Sequence, residues 1–249
     1  MSKQSREQSR TERAAAVRAA QARKERNRRF ALVAGVLVLL GAIVAGGVWY
    51  SGGGGKSTTT SDTKSVTLAA GDASLDMGDA SAPVKVVIYE DFLCPYCREL
   101  ETSTRDFLQQ NAAKGKVYVE YHPINLLRQY DYSAKAMNAW AAVLKHASPQ
   151  DALKLHNLFF DKQPYEQEAD GHIGDIEGWV KDVVGNDSKV LDAMKSQDTS
   201  FFATAQQAMT DDNIDSTPTV FLNGKELPNT GGVPQMVSAI ESAVEQGGK

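Results

Sequence analysis

Hydrophobic positions along the chain change period several times, and the changes outline an architecture. VKVVIY, residues 84–89, is a β-branched run directly after Pro83 and predicts a buried strand. Cys94 follows five residues after its end, and behind it Cys97, Leu100, Thr104, Phe107 and Leu108 recur at helical spacing. The two cysteines therefore belong to the first turn of a helix. KVYVEYH then places Val117, Val119 and Tyr121 on one face of a second strand. From about Leu126 to Ile214 the pattern turns helical through SAKAMNAWAAVLKHA, PQDALKLHNLFF, DIEGWVKDVV, KVLDAMKS and FFATAQQAM. TPTVFLNGKEL reads as a strand, an Asn-Gly turn and a strand. VPQMVSAIESAVEQ closes the chain as a helix with Val237, Ile240 and Val244 inward and Pro234 in its first turn. A helical block between two β regions predicts an α/β fold with a helical insertion at about 126–214. Trp140, Trp179, Phe159, Phe160, Phe201 and Phe202 sit at spacings that fill a core.

The amino-terminal quarter obeys different rules. Residues 30–50, FALVAGVLVLLGAIVAGGVWY, run 21 positions without a charge, and at about 1.5 Å per residue that length matches a hydrocarbon core roughly 30 Å thick. Arg23, Lys24, Arg26, Arg28 and Arg29 precede it, whereas Lys56 and Lys64 are the only cations in the following twenty residues. The positive-inside rule then keeps the N-terminus cytoplasmic and exports everything after residue 50. A cleaved secretory signal would have a shorter apolar region with an A-x-A-like site behind it, and neither is present. The expected organisation is a cytoplasmic basic arm (1–29), a single transmembrane helix (30–50), a flexible Gly/Ser/Thr-rich linker (51–65) and one extracytoplasmic domain (66–249).

Charge divides at the same boundary: residues 1–29 carry +7 and the remainder −11, although the whole chain of 249 residues sums to −4. Beside a membrane the basic arm reads as a lipid-facing or solvated helix. No nucleic-acid function follows from it.

Cys94 and Cys97 are the only two cysteines. A disulfide across two intervening residues closes almost no loop and constrains little of the unfolded chain, so the pair looks chemical rather than mechanical. At a helix N-terminus Cys94 faces unpaired N–H groups and the positive end of the macrodipole, which lower a thiol's pKa. Cys97, one turn deeper, is placed to resolve or release. Pro95 pre-sets the first helical turn. Half a zinc site is the rival for C-x-x-C, but His122, His146, His156 and His172 lack an H-x3–5-H pair. No metal or cofactor is expected, and His122 reads as an ordinary histidine near a strand end.

YEDFLCPYC after a strand, STPTVFLNG some 120 residues on, and the helical block between them resemble the DsbA-like branch of the thioredoxin superfamily, from roughly Ser81 to the C-terminus. That resemblance implies a thioredoxin-like fold with an inserted helical domain, preceded by the transmembrane helix. It implies a redox-active pair at Cys94 and Cys97 around the dipeptide Pro95-Tyr96, faced by a loop whose matching residues are Thr217 and Pro218, the latter a candidate for a cis bond. It further implies an envelope thiol oxidase acting on reduced exported proteins and recharged by a quinone-linked membrane partner of the DsbB or vitamin-K-epoxide-reductase type, as in Gram-positive and actinobacterial relatives.

Two departures matter. Strongly oxidising DsbA enzymes have Pro-His between their cysteines, whereas Pro95-Tyr96 is a glutaredoxin dipeptide. Thioredoxin-like proteins often bury an acid six residues before the first cysteine, where this chain has Ile88. Glu90 and Asp91 are the carboxylates that could replace it as proton acceptor, although solvated loop carboxylates are the expectation there. A reductase or isomerase supplied with electrons across the membrane, and a non-catalytic tethered chaperone, remain as alternatives.

Overall fold

The computed structural model describes residues 66–247. The basic arm, the apolar segment and the linker predicted for residues 1–65 lie outside the described residues. Among the described residues no helix is long and apolar enough to cross a membrane.

The described part is one six-stranded mixed sheet dressed with helices. Two short strands, β1 (Leu68–Ala70) and β2 (Leu75–Met77), form an antiparallel hairpin. Then come β3 (Val84–Glu90), α1 (Pro95–Ala113) and β4 (Val117–Pro123). Five helices follow: α2 (Asp131–His146), α3 (Pro149–Asp161), α4 (Asp175–Val184), α5 (Ser188–Ala193) and α6 (Thr199–Asp211), with a 3₁₀ turn at Glu166–His172. The chain ends in a hairpin of β5 (Thr219–Leu222) and β6 (Lys225–Glu226) and in α7 (Gly232–Glu245).

Strand order is β1-β2-β4-β3-β5-β6. β3 lies inside it, parallel to β4 with Ile88 opposite Tyr121, and antiparallel to β5 with Ile88 opposite Val220. A strand hydrogen-bonded on both sides and covered by helices is apolar over most of its length, so Val86 to Tyr89 shows no alternation, while Lys85 near its start stays exposed. β4 keeps the predicted alternation, burying Val117, Val119, Tyr121 and Pro123. Asn223 and Gly224 adopt positive φ, 51° and 77°, in the β5–β6 turn, as an Asn-Gly hairpin requires.

The N-terminal hairpin escapes the sequence reading because three-residue strands are too short to show a period. Its β2 pairs with β4, and Gly78 closes it at φ +105°, where a Cβ would lie 2.5 Å from the Val117 carbonyl. In α7 the inward residues are Val233, Met236, Ile240 and Val244, with Val237 half-buried rather than buried.

The insertion is helical as predicted. Asp187 and Asp198 cap α5 and α6 by accepting backbone N–H bonds, and Ser148 does the same for α3. Trp140, Phe159, Phe160 and Phe201 are buried as read, and the Trp140 indole N–H finds the Ala152 carbonyl at 2.9 Å. α3 packs on α1 and also reaches β1 and β2. The insertion is thereby a wall of the site at the N-terminus of α1.

Candidate active site

Cys94 is the N-cap of the 19-residue helix α1, with extended backbone (φ −72°, ψ 119°), and Pro95 opens the first turn. Both sulfurs are free thiols, Cys94 4% exposed and Cys97 fully buried. The Thr217–Pro218 bond is cis, and the Thr217 carbonyl oxygen lies 3.3 Å from Cys94 Sγ. The pair and the proline-bearing loop, 120 residues apart in the chain, thus meet as the resemblance implied.

The two thiols are driven in opposite directions. Cys94 is lowered from 9.0 to about 7, first by the Cys97 thiol donating to it, then by the Thr217 hydroxyl and the backbone N–H groups of Cys97 and Tyr96, against the opposing effect of burial. As a thiol Cys94 donates to the Thr217 carbonyl; as a thiolate it accepts from these groups. Burial pushes Cys97 well above its ordinary value, and the proximity of Cys94 and of Glu90 adds to the push. One thiol ionises near neutrality while its neighbour stays protonated and donates to it.

The loop before Cys94 is pinned from several sides. Asp91 is fully buried rather than solvated, because its carboxylate is consumed by backbone and side-chain donors. Its Oδ1 accepts Leu93 N–H at 2.9 Å, and its Oδ2 accepts Leu126 N–H, Leu127 N–H and the Ser133 hydroxyl at 2.9, 3.0 and 2.6 Å. Asp91 therefore ties the cysteine loop to the start of the insertion through four donors. Gln163, just beyond α3, donates to the Phe92 and Cys94 carbonyls, both at 3.0 Å. Phe92 itself is fixed in an aromatic cage, its ring centroid 5.0 Å from Phe159, 5.4 Å from Phe160 and 6.2 Å from Trp140.

Glu90 is also fully buried, against expectation, because α3 covers it: His156 Nε2 is hydrogen-bonded to Glu90 Oε1. Burial raises Glu90 well above the carboxylate range, and nearby Cys94 and Asp91 add to the rise. Glu90 is thus a carboxyl with a raised proton affinity near Cys94. Glu101, one turn beyond Cys97, joins the same pocket, its Oε2 4.0 Å from His156 Nδ1. Glu101, His156, Gln163 and Ser133 were not singled out as site residues from the sequence. A carboxylate on the Leu100–Thr104–Leu108 face of α1, and a histidine on the Ala152–Leu155–Phe159 face of α3, were the signals available. His122 pairs with Glu120 on β4 at 3.3 Å and stacks on Tyr89, away from this arrangement.

Two grooves flank the motif. One, about 420 Å³, is lined by Tyr96, Glu99, Thr217, Pro218, Val233 and Pro234 among others. The other, about 440 Å³, runs between Leu93, Pro95 and Arg98 on one side and Gln163, Pro164 and Tyr165 on the other. Tyr96 and Tyr165 stand in solvent at 62% and 78% exposure.

A thiol pair capping a helix that follows a central strand, met by a cis-proline loop, defines a dithiol protein built on the thioredoxin plan. The chain belongs to the thioredoxin family, whose model matches residues 71–242. It is similar to disulfide bond formation protein D of Bacillus subtilis, 27% identical over 177 residues that make up 68% of this chain and 76% of that protein. Among solved structures it resembles MdbA, a thiol-disulfide oxidoreductase from Corynebacterium diphtheriae, at TM-score 0.55 and 24% identity, covering 78% of this chain and 100% of that one. It likewise resembles reduced DsbA from Mycobacterium tuberculosis at TM-score 0.56 and 22% identity, over 71% of this chain and 98% of that one. At these identities the structural matches establish the shared fold.

Alkylation of the reduced protein by iodoacetamide should titrate with a midpoint near pH 7 at Cys94 and leave Cys97 unmodified at neutral pH, read by peptide mass spectrometry. Because Cys94 is lowered on folding, its ionisation stabilises the reduced protein above its unfolded value of 9.0, and this contribution is lost as pH falls from there through about 7. Asp91→Ala should destabilise the domain by roughly 2–4 kcal/mol in denaturant unfolding, since it strands the N–H groups of Leu93, Leu126 and Leu127.

Proposed function

We propose that this chain is a thiol-disulfide oxidoreductase of the DsbA-like kind that introduces disulfide bonds into exported proteins through Cys94 and Cys97. The observation that carries it is the split between the two thiols, Cys94 lowered to about 7 and Cys97 raised. A thiolate stabilised in the reduced state makes the corresponding disulfide a better oxidant. The relatives described as disulfide-forming or thiol-disulfide oxidoreductase proteins support the same reading.

In the proposed cycle a substrate thiolate attacks Cys94 Sγ of the Cys94–Cys97 disulfide. That bond breaks, Cys97 leaves and takes up a proton, and a mixed disulfide joins substrate to Cys94. The substrate's second thiolate then attacks its own sulfur in that bond and releases Cys94 as a thiolate. Two electrons have passed from the substrate dithiol to the protein, which must be reoxidised. The two grooves beside Cys94 offer extended polypeptide a surface on either side of the attacked sulfur, with Tyr96 and Tyr165 as aromatic contacts.

We place the domain outside the cytoplasmic membrane, tethered by residues 30–50, on the length and flanking charge of that segment. A tether of this kind raises the effective concentration of a membrane reoxidant, for which a quinone-linked protein of the DsbB or vitamin-K-epoxide-reductase type is the proposal.

One observation favours a second reading, as a reductase or isomerase. A Cys94 value of about 7 lies nearer to thioredoxin's, about 7, than to the DsbA value of about 3.5. Equilibration with glutathione redox buffers, followed by alkylation and mass readout, separates the two. A potential toward about −120 mV, with oxidation of a reduced test protein, supports the oxidase; one near about −270 mV without oxidation supports the reductase.

A further inference from the structure

The two grooves beside Cys94 differ in charge. The one on the cis-proline side is bounded by Tyr96, Thr217, Pro218 and Asn229 and by the start of α7 at Gly232, Val233 and Pro234, and Glu99 is the single charged residue in its lining. The groove on the insertion side shares Glu99 but adds Glu166 and a cation, Arg98. Glu99 therefore borders both grooves, two residues beyond Cys97 on the exposed face of α1. A chain that crosses Cys94 from one groove to the other passes it.

Among the described residues nothing neutralises this carboxylate. The Glu99 side chain has no ion pair or hydrogen bond there, whereas Glu177 and Asp192 on other exposed helix faces are paired with Lys181 and Lys195. Arg98 is adjacent in sequence, but it lines only the insertion-side groove, and side chains at i and i+1 of a helix do not face one another. An exposed glutamate is ordinary by itself; its company here is not. Tyr96 lines the same groove and is one of two large hydrophobic side chains left exposed among the described residues. An aromatic face and an unpaired carboxylate around one concave space both attract an ammonium or guanidinium group. The N-terminus of α7 opposes this with about half a positive charge, against the full negative charge of Glu99.

We propose that the groove between Tyr96 and Pro218 is a subsite for a lysine or arginine side chain of the client, held by Glu99, so that the protein favours reduced polypeptides with a cation beside the attacking cysteine. The inference rests on the oxidoreductase reading and adds the chemistry of the client to it. The redox step is unchanged: the client thiolate bonds to Cys94 Sγ, the Cys94–Cys97 bond breaks, and Cys97 leaves with the electron pair and takes up a proton. The client's cation acts twice in that step. It anchors the chain against Glu99, and it favours the ionised form of the client's own thiol, which is the form that attacks.

Other occupants fit this groove less well. An acidic side chain would face Glu99 with no cation in the lining, and an apolar one would strip water from the carboxylate without replacing it. The insertion-side groove sets Arg98 against Glu99 and Glu166 and so has a weaker bias. The preference therefore belongs mainly to one side of the client's cysteine. Long-range charge acts in the same direction, because the chain after residue 29 sums to −11, and such a field draws cationic polypeptides and repels acidic ones.

The test uses the full-length protein, oxidised at Cys94 and Cys97, and reduced peptides of identical composition. Their single lysine sits beside the reactive cysteine, on either side, or at the far end, so net charge is matched. Acid quench and mass spectrometry read the rate of mixed-disulfide formation. A neighbouring lysine acidifies the peptide thiol by itself, so the informative quantity is how the adjacent-to-remote rate ratio changes between protein variants. For lysine on one side of the cysteine, that ratio should be about threefold or more higher in wild type than in Glu99→Gln, and lower again in Glu99→Lys. Equal ratios in all three proteins would overturn the subsite and leave the oxidoreductase reading intact. Oxidised wild type that forms a mixed disulfide with none of the peptides would remove the oxidoreductase reading, and the subsite with it. Salt gives a check that needs no variant: the wild-type ratio should fall between about 0.01 M and about 1 M salt, as the screening length shortens from about 30 Å to about 3 Å. A ratio independent of salt would refute the contact.

Discussion

Two sulfur atoms three residues apart experience unequal solvation, and the rest of the domain is arranged to keep them so. Cys94 sits where α1 begins, with N–H groups, a neighbouring thiol and a threonine hydroxyl to receive its charge. Cys97 sits one turn in, where burial outweighs the one backbone hydrogen bond, at Asp91, that favours its charge. A 19-residue helix starting directly behind a buried strand supplies this inequality almost geometrically, because the N-cap is at the rim and the next turn is inside. The redox asymmetry is a property of where the helix begins.

Holding that start in place falls largely to the insertion. Asp91 accepts Leu93 N–H of the cysteine loop on one carboxylate oxygen and the backbone that leads into α2 on the other, Gln163 holds two carbonyls of the cysteine loop, and the Phe92 ring is locked among α2 and α3 aromatics. The helices between β4 and β5 are therefore part of the site. They set the loop conformation, wall one of the two grooves through Gln163 and Tyr165, and deliver His156 to Glu90.

Most of the frame was legible because it follows from periodicity and local chemistry. The buried β3, the cysteine helix, the five insertion helices and the Asn-Gly hairpin each have a pattern several residues long, and Pro218 declared itself by resemblance to a known loop. What stayed hidden depends on tertiary partners. β1 and β2 are three residues each, and they exist because β4 offers an edge. Glu90 and Asp91 read as loop carboxylates and are sealed in, one by a histidine 66 positions away and the other by backbone donors 35 and 36 positions away. Glu90, two residues after Ile88, is seen to be buried only in the folded chain. No local signal in the chain announces that.

The asymmetry of the two cysteines is tested most directly by trapping. In Cys97→Ala the Cys94 thiolate attacks a disulfide of a client or of the reoxidising partner, the other sulfur of that disulfide leaves as a thiolate, and the mixed disulfide cannot be resolved by the missing cysteine, so covalent adducts through Cys94 should accumulate in cells and dissolve on reduction. Cys94→Ala should capture almost nothing through Cys97. Adducts forming equally in both variants, or only through Cys97, would contradict the account.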